Sequence, residues 1–282
     1  MSILIADSGS TKTDWTLLHE GKVVRQVKTI GFNPYFHSRD EVSLEILNKL
    51  KPEINDALAD ISEVHYYGAG CSTAENNQLI RDAIAITLNV PDIFVNHDLL
   101  AAARALCKRE WGIACILGTG SNSCLYDGET ILENVPSTGY LWSDYGGGSQ
   151  IGKFFIRDYF EGRLPADISG AFEKAGYSRE VILQNVYKQT VPSRYLASVS
   201  EFVYAHLEHP SVIKVLEECF DSFFEEQISK YSDSKKYKVH TVGSIGFVYR
   251  DFIARVAKKH GYEIGLVIKS PIDGLIEYHT NI

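Results

Sequence analysis

The alternation of apolar and polar residues near the start of the chain predicts three short strands joined by tight turns. Residues 2–6 are mostly apolar, residues 7–12 are polar, and residues 13–18 are again mostly apolar. The turn "HEGK" then leads into "VVRQVKT", in which apolar and polar side chains alternate as in a strand with one exposed face. We therefore predict successive strand hairpins, with one glycine and several hydroxyl side chains at the tip of the first.

The same order of strands and turns is found again at residues 112–134. The segment "GIACILGTGSNSCLYDGETILEN" contains an apolar run, a turn of Gly, Thr and Ser, a second strand, an Asp127-Gly128 turn and a third strand. Each copy places backbone N–H groups and hydroxyls at a hairpin tip, and such donors bind negatively charged oxygens. Two tips facing each other across a cleft would bind a polyphosphate from both sides. Because turn geometry alone explains a single glycine-rich hairpin, the inference depends on the repetition.

Helical and strand patterns alternate between the two copies. A helix interrupted near Pro52 is followed by the strand "EVHYYGAG", the helix "AENNQLIRDAIAITL", the strand "DIFVNHD" and the helix "DLLAAARALCKRE". Residues 150–231 have mostly helical periodicity, and a strand, a Gly-Ser turn, a helix, a last strand and a short helix follow. This order predicts an α/β fold with largely parallel or mixed sheets and with sites at the carboxyl ends of strands.

The length of the chain favours two domains. At 282 residues it exceeds one average domain, although no linker rich in Pro, Gly or Ser divides it. We place the boundary near residue 100, which gives an N-terminal domain of residues 1–100 and a C-terminal domain of residues 101–282. The domain assignment leaves open whether the last helix packs on the N-terminal domain.

Charge and cysteine content narrow the classes of partner. The chain has 28 Lys and Arg against 36 Asp and Glu, and a net charge of −8 disfavours binding to nucleic acid or to an anionic membrane. A small anionic ligand would need a local site. The five cysteines are scattered without a C-x-x-C pair, so we expect neither a disulfide framework nor a zinc site. Because we find no signal peptide and no apolar run of about 20 residues, we expect a cytoplasmic protein.

Two general nucleotide-binding patterns match only in part. "GGSQIGK", residues 147–153, has the spacing of a P-loop, but Phe154 stands where Ser or Thr is needed for magnesium and no strand precedes it. "GTGSNS", residues 118–123, lacks the third glycine of a dinucleotide loop and leads into a strand instead of a helix. We therefore expect neither a P-loop nor a Rossmann cofactor site.

A set of segments in a fixed order resembles the N-acetylglucosamine kinase family. They are "IADSGSTKTDW", "GFNPY", "YYGAGCS", "VNHDLLAAA", "ILGTGSNS", "GYLWSDYGGGSQIGK" and "VGSIG", and they span nearly the whole chain. This family belongs to the actin-like and sugar-kinase ATPases, with the activator ATPases of acyl-CoA dehydratases and reductases as relatives. The resemblance implies an α/β fold of two ribonuclease-H-like domains, each with a mixed five-stranded sheet flanked by helices, closing over MgATP in the cleft between them.

The resemblance implies that both hairpin tips bind the nucleotide. Asp7 would hold a hydrated Mg²⁺, a cation that favours carboxylate oxygen. The phosphates of ATP would contact Gly9, Ser10, Thr11 and Lys12 from the first copy and Thr119, Gly120 and Ser121 from the second. Gly243 and Ser244 in "VGSIG" resemble the turn that binds adenosine. The ordinary alternatives are a strand-end acid, a hairpin turn and a tight strand-to-helix turn.

Asp98 resembles the catalytic base of the family. A carboxylate at the end of a strand can accept the proton of an attacking sugar hydroxyl, and phosphoryl transfer needs such a positioned base. The alternative for Asp98 is the N-cap of the helix "DLLAAARAL", since Asp is a favoured capping residue. His97 is expected to be a structural neighbour.

The family also implies a set of sugar-binding residues, and here the chain departs from the family pattern. Asn33 in "GFNPY" matches the sugar-binding asparagine, with the turn preference of Asn before Pro34 as the alternative. Asn122, Gly139, Asp144 and Asp98 complete the expected sugar contacts. The family usually has Gly-Gly-Trp-Gly followed by Asp-Glu-Gly-Ser, whereas this chain has "STGY" and "SDYGGGS", with Tyr145 in place of an acid. The resemblance therefore identifies the sugar that accepts the phosphoryl group less firmly than it identifies ATP as the donor.

The resemblance implies an ATP-dependent kinase that phosphorylates the 6-hydroxyl of N-acetylglucosamine or a related amino sugar. The expected partners are the sugar and MgATP, with no nucleic acid and no membrane, and a homodimer is left open. Two other classes remain as alternatives. One is an activator-type ATPase that couples hydrolysis to a redox partner enzyme, and the other is a non-catalytic sugar or nucleotide sensor.

Overall fold

The computed structural model describes residues 2–9 and 12–280, and the chain divides into two units. The first unit contains Met1–Arg109, Gly128–Thr130 and Ser270–Ile282, and the second contains Glu110–Asp127 and Ile131–Lys269. The first unit therefore continues past residue 100 to Arg109, because the helix that begins at Asp98 packs on its sheet.

The sheet of the first unit has five strands in the order β3-β2-β1-β4-β5. The strands are β1 (Ser2–Ser8), β2 (Lys12–His19), β3 (Lys22–Ile30), β4 (Ile61–Gly68) and β5 (Asp92–His97). β1, β2 and β3 form the predicted antiparallel hairpins, whereas β4 and β5 run parallel to β1. The carboxyl ends of β1, β4 and β5 therefore meet at one edge of the sheet.

Helices pack on both sides of this sheet. They are α1 (Arg39–Glu45), α2 (Lys51–Ile54), α3 (Ala74–Leu88), α4 (Asp98–Cys107) and, from the end of the chain, α12 (Ile272–Thr280). The interruption predicted near Pro52 lies just before it, as a π-helical turn over Ile46–Leu50 that joins α1 to α2. Proline lacks the N–H that would continue regular α-helical bonding, which accounts for an irregularity at this place.

The last helix packs against α4 through small residues. A Cβ on Gly274 of α12 would lie 2.6 Å from the carbonyl oxygen of Ala105 in α4, so the two helices approach closely. His279 of α12 is hydrogen-bonded to the hydroxyl of Tyr67 at 2.9 Å, and Arg104 of α4 donates to the same hydroxyl at 2.8 Å. These contacts fix the end of the chain to the first unit.

The sheet of the second unit repeats the topology of the first. Its strands are β6 (Gly112–Leu117), β7 (Ser121–Tyr126), β8 (Ile131–Glu133), β9 (Val239–Val242) and β10 (Ile264–Ile268). The order β8-β7-β6-β9-β10 matches β3-β2-β1-β4-β5, with the first three strands antiparallel and the last two parallel to the first of the unit. The predicted α/β fold of two mixed five-stranded sheets is confirmed.

A layer of helices covers the second sheet. They are α5 (Gly148–Phe160), α6 (Ala166–Lys174), α7 (Arg179–Tyr187), α8 (Pro192–Ala205), α9 (Pro210–Glu226), α10 (Ser244–Val248) and α11 (Arg250–Lys259). Their apolar faces form one core with the sheet, in which the rings of Phe155, Phe172 and Phe202 pack edge to face or tilted. None of the helices in the described part of the chain has the length and apolar character needed to cross a membrane.

Candidate active site

Asp7 lies within β1 and not in the polar turn predicted for residues 7–12. In the ladder it is opposite Asp14 of β2 on one side and Tyr67 of β4 on the other. Burial and, to a smaller extent, the negative charges of Asp14 and Asp98 together raise the pKa of the Asp7 carboxyl to about 7, while Lys12 acts in the opposite direction. Asp14 and Asp98 are therefore both close enough to Asp7 to affect its ionisation.

Asp98 is the first residue of α4 and does not provide its cap. The side chain of His97 is the N-cap, because its Nδ1 accepts the backbone N–H of Leu100 at 3.3 Å. The N-cap of α4 is therefore His97 and not Asp98. A capping role agrees with the structural role that we expected for His97. Burial raises the pKa of the Asp98 carboxyl, although His97 and the N–H of Leu99 counteract that shift. A carboxylate whose pKa is raised is a stronger base than an ordinary Asp, which suits Asp98 to accepting a proton.

The first predicted phosphate loop is the β1–β2 turn. Gly9 is exposed and its N–H donates to the carbonyl oxygen of Lys12 at 3.0 Å. The ammonium of Lys12 is paired with Asp14 at 2.5 Å. Ser10 and Thr11, which were also predicted to contact phosphate, lie outside the described residues.

The second predicted phosphate loop is the turn between β6 and β7. Thr119 is exposed at its tip, and the carbonyl oxygens of Gly118 and Thr119 accept the N–H groups of Gly148 and Ser149 at 2.9 and 2.8 Å. Two backbone N–H groups at the start of α5 therefore hold the loop in place by hydrogen bonds to its carbonyl oxygens. The hydroxyl of Ser121 is buried and has no hydrogen-bond partner in the described part of the chain. The "GGSQIGK" pattern thus supports this loop and, as expected, does not follow a strand as a P-loop does.

Asp144 is buried against the same loop. Its carboxylate accepts the N–H of Ser121 at 3.2 Å and the hydroxyl of Ser137 at 3.1 Å. A Cβ on Gly120 would lie 2.6 Å from the Asp144 carboxylate, so only glycine allows this approach. Asp144, predicted to contact sugar, therefore already binds the backbone of the second phosphate loop. Its left-handed backbone, with φ of 58°, is one that Asp tolerates better than most residues.

Gly243 lies in the turn between β9 and α10, where the adenosine turn was predicted. With φ of 118°, a Cβ at this position would lie 2.4 Å from the carbonyl oxygen of Leu117. Only glycine therefore fits here, and the neighbouring Ser244 is exposed at the start of α10. The turn lies next to the end of β6, from which the second phosphate loop departs.

The remaining predicted sugar residues are distributed over both units. Asn33 of the first unit uses its Oδ1 to accept the N–H of Tyr35 at 3.0 Å, as the turn alternative requires. Its amide nitrogen makes no hydrogen bond within the described part of the chain and is free to donate. In the second unit the Oδ1 of Asn122 accepts from Asn134 at 3.0 Å, and Gly139 lies in an irregular loop with φ of 80°.

Each unit by itself offers groups that suit one part of a magnesium nucleotide. The unpartnered hydroxyl of Ser121 and the exposed Thr119 offer donors to phosphate oxygens in the second unit. In the first unit the carboxylates of Asp7 and Asp14 offer the oxygen atoms that Mg²⁺ prefers. No cluster of three or more potential metal-ligating side chains was found within residues 2–9 and 12–280. Mg²⁺ usually keeps several waters and shares its ligands with phosphate, so one or two carboxylates are the expected protein contribution.

Asp14 is the main site residue that the sequence motifs do not indicate. Residues 7 and 14 lie at equal distances from the turn at residues 9–12, so the hairpin register itself predicts their pairing. The role of Asp144 could not be read from the sequence in this way, since an irregular loop brings it to Ser121.

Comparisons with solved structures agree with this fold. A protein of Porphyromonas gingivalis described as a putative N-acetylglucosamine kinase is 39% identical, with 99% of each chain covered and a TM-score of 0.92. A protein of Chromobacterium violaceum with the same description is 14% identical, with 98% of each chain covered and a TM-score of 0.75. An ROK hexokinase of Thermus thermophilus is 11% identical, with 99% of this chain and 97% of that chain covered and a TM-score of 0.54. A scan against protein-family models and a search of curated proteins gave no match.

The duplicated mixed sheets and the glycine-rich loops define an actin-like ATPase fold of the sugar-kinase type. The likeness to the two more distant structures concerns this fold alone. At 39% identity over 99% of both chains, the first comparison goes further. The chain belongs to the N-acetylglucosamine kinase family.

Proposed function

We propose that this protein transfers the γ-phosphoryl group of MgATP to the 6-hydroxyl of N-acetylglucosamine or a closely related amino sugar. The observation that carries the proposal is the presence, in a chain of this family, of two acids with raised pKa values, Asp7 and Asp98. Asp7 is the second-last residue of β1 and Asp98 directly follows β5, and these two strands lie on either side of β4. Active sites in α/β sheets are found at such strand ends.

Each acid has a separate role. Asp98 accepts the proton of the sugar 6-hydroxyl while the oxygen of that hydroxyl forms a bond to the γ-phosphorus of ATP. The bond between the γ-phosphorus and the β–γ bridging oxygen breaks, and ADP is released. Asp7, with Asp14 beside it, would hold Mg²⁺, which supplies positive charge to the phosphate oxygens when it is bound. His97 keeps the first turn of α4, and hence Asp98, in place through its cap.

The loops are assigned to the phosphates of the nucleotide. Gly9 and Lys12 belong to the first loop, with Ser10 and Thr11, and Thr119, Gly120 and Ser121 form the second. Gly243 and Ser244 are assigned to adenosine. These assignments are supported by the missing Cβ atoms at Gly120 and Gly243 and by the buried, unpartnered hydroxyl of Ser121.

The sugar is assigned to Asp98, Asn33, Asn122 and Gly139. The free amide nitrogen of Asn33 supports this assignment, because sugar hydroxyls are good acceptors for such donors. Asp144 is kept as a sugar contact in the proposal, but its bonds to Ser121 and Ser137 favour a role in positioning the second loop.

The proposal is tested by measuring ADP release with a panel of sugars. We expect ADP release that depends on N-acetylglucosamine, glucosamine or N-acetylmuramic acid and that is matched by a phosphorylated product in the mass spectrum. Turnover without any sugar would instead favour an activator-type ATPase. Absence of turnover with every sugar and nucleotide would favour a sensor.

A further inference from the structure

A pocket of about 650 Å³, lined by both polar and apolar side chains, lies in the first unit, between the outer strands of the sheet and the start of α12. Its lining includes Lys12, Asp14, Thr16, Gln26, Lys28 and Ser270. Of these, only Lys12 and Asp14 belong to the active site described above. The pocket extends from the first loop along β2 and β3 toward residues that have no role in the proposed reaction.

The register of β2 and β3 brings the polar side chains of the lining together. Asp14 is opposite Lys28 and Thr16 is opposite Gln26, so these four side chains share one face of the sheet. Lys12, two positions before Asp14, shares this face and is paired with Asp14 at 2.5 Å. Lys28 is exposed and makes no ion pair within the described residues. Its ammonium group is therefore available to a ligand in the pocket.

Thr16 gives independent evidence that the pocket takes a ligand. Its side chain is 1% exposed, and its Oγ1 has no hydrogen-bond partner in the described part of the chain. A buried hydroxyl without a partner is costly, and native proteins rarely keep one without a reason. Thr13, on the same strand but the opposite face, has its hydroxyl bonded to Ser8 at 2.7 Å and to the carbonyl oxygen of Ile30 at 2.9 Å.

The start of α12 adds a third feature. Ser270 and Ile272 line the pocket where this nine-residue helix begins, and the first N–H groups of a helix carry partial positive charge. Asp273 also lies in this first turn, but it is exposed and does not line the pocket. The lining therefore combines an unpaired ammonium, a buried hydroxyl and a helix start, which together suit an anion.

We propose that this pocket is a second site, which binds a small phosphate-bearing anion separately from the nucleotide. Lys28 supplies the charge, Thr16 donates its hydroxyl to a phosphate oxygen, and the start of α12 completes the contact. A volume of about 650 Å³ is sufficient for a hexose phosphate as well as for inorganic phosphate. The site does not depend on the proposed kinase activity, since Thr16, Gln26 and Lys28 have no part in it.

The test is calorimetric titration of the full-length protein, without nucleotide, using inorganic phosphate, glucosamine 6-phosphate and neutral N-acetylglucosamine as probes. Lys28→Gln and Thr16→Val should each weaken the binding of the phosphate probes by about tenfold, since the first removes the positive charge and the second removes the hydroxyl donor. Lys22→Gln is the matched control, because it removes the same charge from an exposed position of the same strand outside the pocket lining. Thr16→Val keeps the buried shape, and it should not lower the midpoint of urea unfolding.

The outcomes separate the sources of the anion and the rival explanations. Tighter binding of glucosamine 6-phosphate than of phosphate assigns the site to a sugar phosphate, and equal binding assigns it to free phosphate. Phosphate binding that Lys28→Gln and Thr16→Val leave unchanged would overturn the proposal, because it would place the anion elsewhere. Equal losses in Lys28→Gln and Lys22→Gln would overturn it too, as an effect of net charge alone. So would the absence of binding by either phosphate probe.

Discussion

Asp7 and Asp14 lie directly opposite each other in the antiparallel ladder of β1 and β2. Two acids in this position repel each other, and burial adds to the cost of charging Asp7, whose pKa is raised to about 7. A cation bound between a buried carboxylate and a neighbouring one removes this repulsion and so stabilises the folded protein. The pairing therefore gives a physical reason to assign the metal to this hairpin.

The first prediction concerns the pH dependence of stability. The folded pKa of Asp7 is about 7 against an ordinary value of 3.8, so between these pH values the folded state binds more protons than the unfolded state. The contribution of Asp7 to stability is therefore lost as pH rises through this window. Relative to the parent, Asp7→Asn should gain stability between pH 4 and pH 8, by roughly 2–4 kcal/mol.

Urea unfolding at several pH values measures this gain. Asp92→Asn is the control, because it removes an exposed acid at the start of β5. Added Mg²⁺ should stabilise the parent at pH 8 and leave Asp7→Asn unchanged. A stability difference between Asp7→Asn and the parent that does not vary with pH would contradict the raised pKa.

The second prediction concerns the cap of α4. Because the side chain of His97 accepts the N–H of Leu100, His97→Ala should lower the free energy of unfolding by about 1 kcal/mol. His97→Asn should retain most of that stability, since Asn is also a favoured capping residue. Urea unfolding of both variants measures the difference. If Asp98→Ala were destabilising and His97→Ala were not, the cap would belong to Asp98 instead.

The third prediction separates two roles for Asp144. Asp144→Asn keeps a residue that tolerates the left-handed backbone but weakens the bonds to Ser121 and Ser137. If Asp144 positions the second phosphate loop, the KM for ATP should rise by about tenfold while the KM for sugar changes little. Ser137→Ala should have a smaller effect of the same kind. A rise confined to the KM for sugar would show that Asp144 acts as a sugar contact.

The fourth prediction tests the packing of α5, which supports the second loop. A Cβ on Gly152 would lie 1.9 Å from the carbonyl oxygen of Leu196 in α8, so Gly152→Ala should destabilise the protein by roughly 1–3 kcal/mol or more. Gly170 in α6 is the matched control, because nothing lies within 4 Å of its Cβ position. Gly170→Ala should stabilise the protein by about 0.5–1 kcal/mol. Equal effects of the two substitutions on the urea midpoint would contradict the close approach of α5 and α8.

Much of the fold could be predicted because its signals are local. Period-two alternation around the turns at residues 9–12 and 118–121 identifies the hairpins, and the repetition of the unit predicts the shared topology of the two sheets. The end of the first unit at Arg109 could not be predicted in this way. It depends on how α4 packs with β4, β5 and α12, which no local pattern records.

The candidate site shows the same division. The local sequence indicates three of its residues. Asp7 lies near the end of a strand, and Gly120 and Gly243 occupy positions where a Cβ would clash. The cap at His97 was not predicted, since Asp is the more common capping residue and both stand at the helix start. The bond of Asp144 to Ser121 depends on the path of an irregular loop, for which neither periodicity nor spacing gives a signal.

Phosphoryl transfer with Asp98 as the base is tested most directly by product analysis with N-acetylglucosamine and its 6-deoxy analogue. With ATP and Mg²⁺, the parent should convert N-acetylglucosamine to a 6-phosphate and leave the 6-deoxy sugar unchanged. Asp98→Asn should bind nucleotide nearly as the parent does, with kcat lower by about 10²–10⁴-fold. Phosphorylation of the sugar by Asp98→Asn at the parental rate, or of the 6-deoxy analogue by the parent, would contradict this mechanism.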